Sequence, residues 1–144
     1  MIETKQVEIG YPNVKDDYFR EIHERGLRYV EDLLAFGWQK TQTVEQRHGR
    51  FNSNYQILAR ETTMPNYQQL KALEDQYEAA KENIQHYEKA SISTAFLLLL
   101  LFILPGVLYI VYKTTKKNSI MANNQEQKEI MKRCVADARR LTSK

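Results

Sequence analysis

Between Ala90 and Tyr112 the chain runs for 23 residues without a formal charge. A helix of that length, rising ~1.5 Å per residue, covers ~34 Å, and the hydrocarbon core of a bilayer is ~30 Å thick. The centre reads Phe96-Leu97-Leu98-Leu99-Leu100-Leu101-Phe102-Ile103-Leu104. Tyr109 and Tyr112 stand just before Lys113, Lys116 and Lys117, as expected where a span meets the headgroups. Nothing else in so polar a chain could surround a helix that is apolar on every face. The expectation is therefore one transmembrane helix over 90–112. Phe96, Leu100, Leu104, Pro105 and Gly106 lie within it, and Tyr109, Tyr112, Lys113, Lys116 and Lys117 sit at its interface. Pro105 removes a backbone donor and kinks such a helix. A re-entrant wedge with its tip at Pro105-Gly106 would have very unequal arms, which disfavours it.

Charge separates the flanks. Residues 1–89 hold 12 Lys and Arg against 15 Asp and Glu, whereas residues 113–144 hold 9 against 3. The excess of cations after Tyr112 places the C-terminal tail in the cytosol of a single-pass membrane protein. The side taken by the head stays open, because its N-terminus has neither a basic region nor an apolar stretch to act as a cleavable signal. The division is thus a soluble head over 1–89, a span over 90–112 and a basic tail over 113–144.

The head reads as a small α+β unit of helix, β-hairpin and long helix within a predominantly α chain. Asn13 caps the first helix, Asp16 and Asp17 suit its first turn, and Gly37 ends it. Phe19, Ile22, Tyr29 and Leu33 recur at steps of three and four, which marks a packing stripe. Gly26 falls on that stripe, where it either admits a neighbouring backbone or weakens the helix by ~1 kcal/mol relative to alanine. Thr41, Thr43 and Val44, then Phe51, Tyr55 and Ile57, show strand alternation about a turn near His48-Gly49, with the Phe51, Tyr55 and Ile57 parity facing the core. Asn66 with Gln69 resembles a capping box, and Leu70, Leu73, Tyr77 and Ile84 continue a second stripe that reaches the apolar run without a glycine or proline. This helix is expected to enter the membrane unbroken. In the tail, Asn118 to Asn124 reads as a loose link before a short basic amphipathic helix.

No catalytic constellation or metal cluster is recognisable. His23-Glu24 opens like a zinc-protease motif, but Leu27 stands where its second histidine belongs, and one cysteine, Cys134, allows no cysteine-based zinc site. No catalytic residue, metal or cofactor is assigned, and the chain is read as a non-enzyme. Arg47, Arg50 and Arg60, interleaved with Phe51 and Tyr55, are candidate contacts for a phosphate-bearing ligand. The net acidity of the head argues against nucleic acid. The expected partners are the lipid bilayer and another protein, with a homo-oligomer as the alternative. The expected role is that of an interaction or assembly subunit.

Overall fold

The computed structural model describes residues 1–10, 17–48, 51–86 and 103–143. They form β1 (Ile2–Gly10), α1 (Asp17–Ala35), β2 (Gln39–His48), β3 (Phe51–Glu61), α2 (Tyr67–Glu82) and α3 (Ile103–Thr142). The strands make one antiparallel sheet in the order β1-β3-β2, so the last strand in sequence lies in the centre.

The membrane expectation does not survive. Among the described residues no helix is long and apolar enough to cross a membrane. That overturns the transmembrane fold class and the single-pass location with its cytosolic tail. α3 contains the C-terminal end of the uncharged run, but Lys113, Lys116 and Lys117 enter in its third and fourth turns and polar sequence follows to Thr142. The rest of the run, with Phe96 and Leu100, lies outside the described residues, as does the cap expected at Asn13. Leu104, Pro105 and Gly106 belong to the first turn of α3. The kink expected at Pro105 would act on the turn before it, which begins outside the described residues.

Two further expectations fail at helix ends. α2 stops at Glu82, well short of the apolar run, and side chains from α3 bond the backbone just beyond it. Asn124 accepts from the Gln85 N–H at 2.8 Å and donates to the Gln85 carbonyl at 2.7 Å, while Asn123 donates to the Asn83 carbonyl at 3.3 Å. The supposed link at 118–124 is therefore helical, and its asparagines bond backbone groups just beyond α2. Asn66 adopts φ +63°, and its side chain donates to the Leu141 carbonyl at 3.5 Å. Its side chain thus serves the C-terminal end of α3, while its carbonyl opens α2 by accepting from the Leu70 N–H at 2.9 Å.

The chain divides into two compact units, residues 1–76 with 133–144, and residues 77–132. In the first, α1 packs on β1. The two elements approach so closely at Gly26 that an added Cβ would meet the Ile9 Cα at 2.8 Å and the Glu8 carbonyl oxygen at 2.9 Å. Close approach, not weakness, explains this glycine. α1 ends with the Phe36 N–H on the Leu33 carbonyl and the Gly37 N–H on that of Leu34, and Gly37 takes φ +85°, the left-handed conformation that glycine adopts without strain. Val7, Ile9, Val30, Leu33, Phe36, Leu58 and Leu70 are buried in this unit, joined by Cys134, Val135 and Ala138 from the end of α3. Burying a leucine or phenylalanine fully contributes about 2 kcal/mol.

The core parity of β3 is the reverse of the one expected. Gln56, Leu58 and Arg60 are buried, while on the opposite face Tyr55 and Ile57 are half-buried and, among the described residues, only Ser53, whose hydroxyl donates to Glu8 at 2.6 Å, is buried. Two of the three inward residues are polar, so alternation of hydrophobicity points the wrong way. Gln56 is satisfied locally: its amide donates to the Gln42 carbonyl at 2.9 Å and it accepts from the Thr43 hydroxyl at 3.1 Å.

Candidate functional site

The densest chemistry in the first unit surrounds Arg60. Register places Glu3 opposite Arg60 and Lys5 opposite Leu58 on the same sheet face. Gly37 turns the chain so that Trp38 lies over the guanidinium, whose carbon is 4.3 Å from the Trp38 ring centre and 5.2 Å from that of Tyr67. Arg60 donates from Nη2 to Glu3 at 2.9 Å, and from Nη1 to Glu74 at 2.7 Å and to the Phe36 carbonyl at 3.1 Å. Glu74 also accepts from the Trp38 indole at 3.1 Å and from Lys5 at 2.9 Å. Tyr67 donates to Glu3 at 2.5 Å.

Two cations thus face two carboxylates. The Arg60 and Glu74 side chains are only 3% and 8% exposed, so each offsets much of the cost of burying the other's charge. The Tyr67 hydroxyl and then Arg60 hold the Glu3 carboxyl below the usual glutamate value, and the same bond from Glu3 pushes the Tyr67 hydroxyl up. A shallow cleft of about 390 Å³ lies over the cluster, with Lys71 and Asp75 also on its wall. Among the described residues no buried side-chain nitrogen or oxygen lacks a hydrogen-bond partner, and no group of acidic, histidine or cysteine residues is placed to hold a metal. The cluster acts as a clamp: it ties β1, β3, the end of α1 and the first half of α2 together.

The three arginines proposed as ligand contacts do not converge. Arg60 points into the clamp, Arg47 is exposed on β2, and Arg50 lies outside the described residues. Arg47 pairs with Asn52, which is eight residues along β3 from Arg60, or about 26 Å at ~3.3 Å per residue. Of the expected packing stripes, Leu33, Leu70 and Tyr77 are buried, and Phe19, Ile22, Tyr29, Leu73 and Ile84 are half-buried. The clamp residues Glu3, Lys5, Trp38, Tyr67 and Glu74 escaped sequence reasoning. The available signal was a lone Trp following the helix-ending glycine, together with charged residues on the inward parity of two strands.

The second unit carries a surface of opposite character. Val107, Leu108, Ile110, Val111 and Tyr112 are 48%, 66%, 44%, 56% and 60% exposed on α3. At ~100° per residue they occupy an arc of about 200° around the helix. Lys113, Lys116 and Lys117 follow on the remaining arc, with the Lys113 ammonium 5.9 Å from the Tyr109 ring centre and that of Lys116 5.9 Å from Tyr112. Among the described residues no carboxylate forms an ion pair with these three lysines. Gln85, Tyr112, Thr115, Lys116, Ser119 and Ile120 line a shallow groove of about 400 Å³ beside them.

Comparison of the chain with protein-family models, with curated proteins and with solved structures finds no match.

Proposed function

We propose that this chain is a non-enzymatic protein-interaction module that engages another protein through the start of α3. The observation that carries the reading is the run Val107, Leu108, Ile110, Val111 and Tyr112, five large apolar side chains left exposed within six residues. Contiguous apolar surface of that kind is costly in water and characteristically marks a binding face.

Sedimentation of the full chain in extracts of its native cells tests this. The wild-type chain is expected in a larger assembly, and the double substitution Leu108→Glu with Val111→Glu is expected to return it to the sedimentation of the isolated chain. Because both side chains are exposed, the variant should keep its circular dichroism spectrum and melting temperature. Sedimentation identical for the two chains would remove the proposal.

A further inference from the structure

The arrangement of charge around that apolar face narrows the partner, on the premise that the face is a binding surface. We infer that the partner is a heterologous protein with an apolar groove that encloses two turns of α3 and carries aspartate or glutamate along its lip. Three observations lead there.

The apolar arc of about 200° is twice the stripe of about 100° with which a helix lies against a flat surface. A flat face would leave half of these side chains in water, whereas a groove covers them together, as in helix-in-groove recognition. Lys113, Lys116 and Lys117 occupy the remaining arc just past the apolar turns, so in a groove they fall at its rim. They form no ion pair with a carboxylate among the described residues, which leaves their charge available to a partner. Finally, residues 103–125 contain no Asp or Glu, the first acidic residue of α3 being Glu126. Two copies joined through this segment would set lysines against lysines or against apolar side chains, so charge complementarity selects a different protein over a second copy.

Photo-cross-linking in native cells, with the full chain carrying benzoylphenylalanine at position 108 or at position 116, tests the inference. Both positions are expected to join the same protein, with an apolar peptide attached at 108 and an Asp- or Glu-rich peptide attached at 116. In the same cells Lys113→Gln, Lys116→Gln and Lys117→Gln together should lower the yield at 108 about tenfold and remove its sensitivity to added salt. Adducts at 108 combined with no adduct, or a carboxylate-free peptide, at 116 would overturn the acidic lip while leaving the binding face standing. Adducts to a second copy of this chain, or to lipid alone, would overturn the inferred partner. No adduct at 108 would remove the binding face and the inference together.

Discussion

At the scale of single residues the clamp sets the outcome of substitution. Arg60→Ala leaves Glu3 and Glu74 with only Lys5, which pairs with Glu74, to offset two carboxylates, and urea denaturation should show a loss of about 3 kcal/mol. Arg60→Lys should rescue little, because an ammonium cannot span both carboxylates and the Phe36 carbonyl while stacking on Trp38. The effect of pH follows from Glu3. Its folded-state value lies below the unfolded one, so its stabilising contribution is present above the ordinary glutamate range and disappears as pH falls through the folded value. In Tyr67→Phe the main cause of that depression is gone. The Glu3 carboxyl should then titrate at higher pH in carboxyl-carbon NMR, and acid unfolding should begin at higher pH. The Tyr67 hydroxyl is raised by the same bond, so its contribution is present below the unfolded tyrosine value and is lost as pH rises through the folded one.

At the scale of elements, helix and strand periodicity reveal different amounts. The stripe from Phe19 to Leu33 and the glycine after it locate α1, because there a local pattern coincides with burial, whereas the alternation about His48 locates the hairpin but not its inward face. β1 is illegible for a physical reason. Its inward positions are Glu3, Lys5, Val7 and Ile9, and the first two are charged partners in the clamp, which cancels the period-two signal. The same cancellation by Gln56 and Arg60 reversed the parity of β3. The candidate site divides in the same way. The apolar turns of α3 are visible in sequence, but what they face is not, since hydropathy alone does not distinguish a membrane span from a protein-binding helix face. Gly26 tests the α1–β1 contact. Alanine there gains ~1 kcal/mol of helix propensity, yet its Cβ would collide with backbone atoms of Glu8 and Ile9 that have no rotamer to change. Gly26→Ala should therefore lower the urea midpoint, with a net loss of about 1–3 kcal/mol.

At the scale of the whole molecule the ends of the chain cooperate. β1 depends on β3, some fifty residues later, for its ladder, and the first unit is complete only when residues 133–144 join it. Cys134 reports on that closure. It is 3% exposed, its sulfur lies 4.0 Å from the Gln76 side-chain oxygen, and burial pushes its thiol up. Ellman's reagent should modify it at least about a hundredfold more slowly in the native protein than in denaturant. Equal rates would show that the end of α3 does not close this unit.

The division of the chain also bears on how such a protein could have been assembled by evolution. The polypeptide leaves its first unit after Gln76 and re-enters it at Arg133, so residues 77–132 are spliced into the middle of a domain that both precedes and follows them. What the host domain takes from α2 and α3 is only the first part of one and the last part of the other. Any exchange confined to 77–132 would cut both helices within their length, after Gln76 in α2 and before Arg133 in α3.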